Sequence, residues 1–71
     1  MERIRVDGII IKAYKGTRFD VRSDENPNHI VFCTLSGKMR QRKFRVNPGD
    51  AVIIEISPYD LTKGRIVWRK K

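Results

Sequence analysis

Apolar residues recur along this chain with a period of two, in five short runs separated by turn formers. Arg3, Arg5 and Asp7 alternate with Ile4 and Val6, and the β-branched run Ile9-Ile10-Ile11 follows Gly8. Such alternation is the pattern of a strand with one face on a core and the other in water. Gly8 predicts a bulge or sharp bend, the device that lets one strand serve two sides of a small barrel. Lys15-Gly16-Thr17 then turns the chain, and Phe19 and Val21 face inward between Arg18, Asp20 and Arg22. The cluster Ser23-Asp24-Glu25-Asn26-Pro27-Asn28 closes a hairpin and makes an acidic end, unsuited to nucleic acid. The third strand, His29 to Leu35, is apolar on both faces, which leaves its register open; with Val31, Cys33 and Leu35 inward, Ile30, Phe32 and Thr34 face outward. An outward Phe32 has two uses, stacking on a base or covering the edge of the core. The fourth strand, Ala51 to Ser57, points Val52, Ile54 and Ile56 inward and stops at Pro58. After a turn at Tyr59-Asp60-Leu61-Thr62, the last strand runs from Lys63 to Arg69, with Ile66 and Trp68 inward and Arg65 and Arg69 outward; the alternative use of Trp68 is stacking on a base.

The connection between the third and fourth strands breaks the pattern. Ser36-Gly37 suits a helix start, Lys38 to Gln41 contains good helix formers, and Pro48-Gly49-Asp50 ends the segment in a turn. Five evenly spaced strands with one short helix between the third and fourth predict an all-β, five-stranded Greek-key barrel, the OB-fold. An SH3-like barrel is the nearest competitor on strand number. With 71 residues the chain is expected to form a single domain over 1–71, of modest stability.

Charge narrows the function. Sixteen Lys and Arg against eight acids give a net charge of +8 and a pI near 10.3, which favours nucleic acid or an anionic membrane as partner. No apolar run approaches the roughly 20 residues that span a bilayer, and no basic amphipathic helix is evident for surface binding. Five of the ten residues in Ser36-Gly37-Lys38-Met39-Arg40-Gln41-Arg42-Lys43-Phe44-Arg45 are cationic and none is acidic. Like charges so close repel, and a polyanion relieves them while releasing its condensed counterions. The segment reads as a short helix and loop presenting guanidinium groups to RNA; the bland alternative is a solvated basic loop.

Chemistry of other kinds finds little support. The lone Cys33 excludes an internal disulfide or a cysteine-built zinc site, reads as a small core residue, and fits a reducing compartment, so a cytoplasmic setting is expected. His29 has no nucleophile or carboxylate partner in its own motif, and Asp7, Asp20 and Glu55 stand outward on three different strands. No general acid–base pair, metal-ligand spacing or Gly-rich phosphate cradle is present, so neither catalysis nor a cofactor is expected. A sequence-tolerant single-strand binder of the cold-shock type is the leading alternative function, with Lys15-Gly16 and Phe19 as a faint echo of that pattern. A permanently assembled ribosomal protein is compatible with the same composition.

Two stretches carry a resemblance: Ser36-Gly37-Lys38-Met39-Arg40, and Pro58-Tyr59-Asp60-Leu61-Thr62-Lys63-Gly64-Arg65-Ile66-Val67, with Phe44-Arg45-Val46 and Gly49-Asp50 between them. In this order and spacing the chain resembles bacterial translation initiation factor one, a family also carried by some organelles, over almost its whole length. The resemblance implies an OB-fold factor, neither enzyme nor membrane protein, acting as a monomer that binds the decoding (A) site of the small ribosomal subunit through its RNA. There it would block premature tRNA entry and assist the other initiation factors. The family's basic loop enters the minor groove of the decoding-site helix; Lys38, Arg40 and Arg45 match it, and Tyr59, Arg65 and Arg69 match a second contact region. Arg42 and Lys43 join the expected RNA-binding set, although many members carry a less basic, tyrosine-containing pair there. Phe32-Cys33 and the turn Tyr14-Lys15-Gly16-Thr17 also depart from the family pattern.

Overall fold

A computed structural model of the chain describes residues 4–15, 17–41 and 45–70, with the Arg40 side chain outside the description. Five strands form where the alternation predicts them: β1 (Ile4–Ala13), β2 (Arg18–Ser23), β3 (Ile30–Leu35), β4 (Ala51–Ser57) and β5 (Asp60–Arg69), with helix α1 (Gly37–Gln41) between β3 and β4. They close into a barrel in the order β1-β2-β3-β5-β4. All pairs are antiparallel except β3 with β5, which run parallel, the chain between them passing through α1 and β4. This is the OB-fold, and closure gives each of the five strands a neighbour on both sides.

β1 works on both sides of the barrel. Its residues 4–9 pair with β4 and its residues 8–13 with β2, so Gly8 lies opposite both Val52 and Ser23. A β-carbon on Gly8 would sit 2.7 Å from the Arg22 carbonyl oxygen and 2.7 Å from a Val21 methyl. The glycine therefore serves a close approach of two strands, whereas the slip in register falls between Ile10 and Lys12. That places the extra residue at Ile11, not at Gly8, and leaves Ile11 exposed. Ile4, expected on the inner face, is 43% exposed: it precedes the stretch that β2 covers and has a neighbouring strand on one side alone.

The inward residues of β2, β3 and β4 are those expected. Phe19, Val21, Val31, Cys33, Leu35, Val52, Ile54 and Ile56 are buried, together with Ile10 and Ile66, and Met39 and Val46 join them from the connection between β3 and β4. Cys33 is fully buried, and desolvation pushes its thiol up to about 12. Cys33→Ser is expected to cost about 1–3 kcal/mol of stability by burying a hydroxyl in an apolar site, read as a lower urea midpoint with RNA affinity intact. An unchanged midpoint would show that the site supplies a partner for the hydroxyl.

β5 departs furthest from expectation. It begins at Asp60, three residues earlier than the turn formers suggest, because Ser57 and Asp60 pair across Pro58-Tyr59 and the Asp60 carboxylate accepts from the Thr62 amide at 3.0 Å. Further along, Ile54 faces Ile66 while the adjacent Ile53 faces Trp68, so Val67 is an extra residue in the ladder. One added residue exchanges the faces of everything beyond it. Trp68 therefore turns outward and is 50% exposed, correcting its expected place in the core. Arg69 no longer shares the outer row with Arg65 but lies opposite Val52 at the end of the strand. The only histidine, His29, donates from Nε2 to the Leu61 carbonyl oxygen at 2.7 Å, tying the acidic turn to the start of β5. Among the described residues, no helix is long and apolar enough to cross a membrane.

Candidate nucleic-acid interface

α1 is short, and its direction is fixed by three contacts. The Ser36 hydroxyl accepts from the Met39 amide at 3.3 Å, the N-cap interaction expected of serine. The Ser36 amide in turn donates to the Ile66 carbonyl oxygen at 2.9 Å, and the Met39 side chain is buried in the barrel. With its first turn bonded to β5 and its apolar residue in the core, the helix leaves Lys38 in solvent beside the last strand.

An open groove of about 710 Å³ results between α1 and the outer faces of β1, β4 and β5. Lys38 and Arg65 both line it, along with Arg5, Glu55, Ile53 and Trp68. Glu55 sits between the two guanidinium groups, 2.9 Å from Arg5 Nη2 and 3.1 Å from Arg65 Nη2. The hydrogen bond from Arg5, joined by those from Arg65, holds its carboxyl below the usual glutamate value despite partial desolvation. Two cations bound to one carboxylate leave a net positive charge held in a fixed place. Fixed planar guanidinium groups beside an exposed indole suit phosphates and base faces.

The remaining basic segment rejoins this surface through Arg69. Its Nη1 donates to the Arg45 carbonyl oxygen at 2.7 Å, fastening the end of the connection to the end of β5. Arg45 itself is exposed. Of the expected RNA-binding residues, Lys38 and Arg65 thus share one groove, and Arg45 and Arg69 are in contact next to its strand. Arg42 and Lys43 lie outside the described residues, as does the side chain of Arg40. Tyr59 is 79% exposed at the turn between β4 and β5 and does not line the groove.

Arg5, Glu55 and Trp68 are additions to the expected set. Glu55 and Arg65 face each other across β4 and β5, an opposite-charge pair that cross-strand pairing rules single out once the register is known. Trp68 carries no local signal, because only the extra residue at Val67 turns it outward.

The family model for translation initiation factor 1A / IF-1 matches residues 2–71. The solution structure of translation initiation factor one from the Wolbachia endosymbiont strain TRS of Brugia malayi is similar at 37% identity and a TM-score of 0.77, covering 97% of this chain and 79% of that one. The crystal structure of YloQ, a circularly permuted GTPase, superposes with a TM-score of 0.76 at 22% identity, over 96% of this chain and 23% of that one, which is a likeness of fold alone. The barrel topology, the helix between β3 and β4 and the match along the chain lead to one assignment: the protein belongs to the translation initiation factor 1A / IF-1 family, whose members are non-enzymatic initiation factors.

Proposed function

We propose that this initiation factor binds the decoding (A) site of the small ribosomal subunit through RNA contacts, blocks premature tRNA entry there, and assists the other initiation factors. It acts as a monomer in the cytoplasm, with residues 1–71 as one RNA-binding domain. The observation that carries the reading is the juxtaposition of two basic segments distant in sequence. Lys38 shares a groove with Arg65, and Arg45 is bonded through its carbonyl to Arg69.

An A-form helix offers a wide, shallow minor groove edged by 2′-hydroxyls and phosphates, and a short basic projection reaches it where a bulky element does not. Lys38, Arg40, Arg42, Lys43 and Arg45 supply that projection, and Arg65 and Arg69 the flanking charge. Tyr59, at the far turn, belongs to a separate contact.

Chemical footprinting of small-subunit RNA with and without the protein should show protection confined to the decoding-site helix and its neighbours. Neutralising about five phosphates should make log affinity fall with log salt with a slope on the order of −4. Protection elsewhere, or a slope shallower than about −1.5, would count against this mode of binding. Equal affinity for intact subunits and for an unstructured oligonucleotide would favour a single-strand binder of the cold-shock type.

A further inference from the structure

We propose that Glu55, an acid in the middle of a cationic groove, strengthens RNA binding: it is a positioning residue that holds the Arg5 and Arg65 guanidinium groups where they meet phosphate. This role rests on the decoding-site reading and adds two residues to it, since neither Glu55 nor Arg5 is in the set expected to serve RNA. The register builds the arrangement directly. Glu55 lies at the centre of a row across three strands, opposite Arg5 of β1 and opposite Arg65 of β5. Its two oxygens take one arginine each. Oε1 accepts from Arg65 Nε at 3.3 Å and from Arg65 Nη2 at 3.1 Å, and Oε2 accepts from Arg5 Nη2 at 2.9 Å.

Net charge alone gives the opposite expectation, because a carboxylate repels a polyanion. Exposure decides between the two. The Glu55 side chain is 15% exposed, against 66% for Arg5 and 43% for Arg65, so the cations and not the acid form the surface that a ligand meets. Each fork is engaged along one edge. Arg65 keeps Nη1 for phosphate oxygens, and Arg5 keeps Nη1 and Nε. Glu55 stays charged while it holds them, since the hydrogen bond from Arg5, joined by those from Arg65, keeps its carboxyl below the usual glutamate value against partial desolvation.

The gain lies in order. An exposed arginine samples many rotamers, and a ligand that fixes it must overcome that entropy. On Glu55 both forks are turned and held before RNA arrives, and a planar guanidinium binds phosphate only in a defined orientation. Among the described residues Glu55 is the only acid that lines the groove, so its effect can be measured without a second source of repulsion.

The test measures binding of the whole chain to intact small subunits by sedimentation. Glu55→Gln keeps the size of the side chain and adds one positive charge to a chain carrying +8. It should nevertheless bind about tenfold more weakly, the loss of order at two side chains. Its affinity should also fall less steeply with salt, because fewer phosphates are neutralised. In a chain carrying Arg5→Ala and Arg65→Ala the same change should instead tighten binding, since the carboxylate there only repels. Parental or tighter binding by Glu55→Gln alone would overturn the proposal, as would equal weakening in both backgrounds, the mark of a structural role. In the free protein, well below its melting temperature, exchange of the Arg65 Nε proton with water should quicken in Glu55→Gln. A lowered melting temperature does not mask that outcome, and an unchanged rate would also sink the proposal. If Arg65→Ala binds weakly and Glu55→Gln like the parent, the decoding-site reading stands and the role of Glu55 falls. Parental binding by the chain without either arginine would remove the groove from the RNA contact, and both fall.

Discussion

Gly64→Ala is expected to destabilise the barrel by about 3 kcal/mol or more, enough to remove most of the stability available to a domain of this size. Gly64 lies where β5 runs between its two partners, opposite Cys33 of β3 and Ile56 of β4. A β-carbon there would stand 2.5 Å from the Glu55 carbonyl oxygen and 3.2 Å from a Val31 methyl. The nearer obstacle is backbone, so no side-chain rotation removes the clash. Relief requires β4 and β5 to separate at the pair that also positions Glu55 against Arg65. Urea unfolding of Gly64→Ala beside Gly37→Ala provides the measurement. Nothing lies within 4 Å of the added carbon at Gly37, and that variant should stay within about 1 kcal/mol of the parent. Equal midpoints for the two would show that the approach of β5 to β4 is looser than its geometry.

Gly64 also illustrates what a sequence of this kind discloses. β2 and β4 can be read residue by residue, since Arg18, Asp20 and Arg22 in the one and Glu55 and Ser57 in the other leave a single inward set, whereas β3 is apolar on both faces and its inward set is fixed by its pairing with β2 and β5. Phe19 and Val21, then Val31, Cys33 and Leu35, then Val52, Ile54 and Ile56 are all buried. Alternation is a local property, however, and a bulge is set by the strand opposite. The extra residues at Ile11 and Val67 arise from pairing with β2 and β4, so no run of β1 or β5 alone reveals them. The misplacement of Trp68 follows directly. The early start of β5 has a similar origin, because Asp60 reads as a turn former until its pairing with Ser57 and its bond to the Thr62 amide are known.

The candidate interface divides in the same way. The density of cations between Lys38 and Arg45 is plain from the residues, and so is the basic character of the last strand. Their meeting is a consequence of topology: β3 and β5 lie side by side in parallel, and α1 leaves β3 next to Ile66. Arg5 enters the groove from the other end of the chain through the pairing of β1 with β4, where it lies opposite Glu55. The groove thus draws on β1, α1, β4 and β5 together.

Simultaneous replacement of Arg40 and Arg45 by alanine is expected to abolish most small-subunit binding while leaving the barrel folded. Each arginine, if it makes charged hydrogen bonds to RNA, contributes about 1–3 kcal/mol, so the double variant should bind about thirtyfold more weakly or worse. The fold has little reason to respond. Arg69 bonds the carbonyl of Arg45 and not its side chain, so truncation at position 45 leaves the connection fastened to β5. Subunit binding by sedimentation, with thermal melting as the control, measures both effects. A folded double variant that binds like the parent would show that the basic connection is not the contact surface. Arg69→Ala supplies the complementary case, since it removes a charge and also the bond that holds Arg45 in place. Restoring the charge with Arg69→Lys should recover the salt dependence of binding. Affinity should remain below the parent's, because a single ammonium does not reproduce the planar donor that meets the Arg45 carbonyl. Full recovery by lysine would mean that Arg69 acts through charge alone, and that the position of the connection does not depend on its tie to β5.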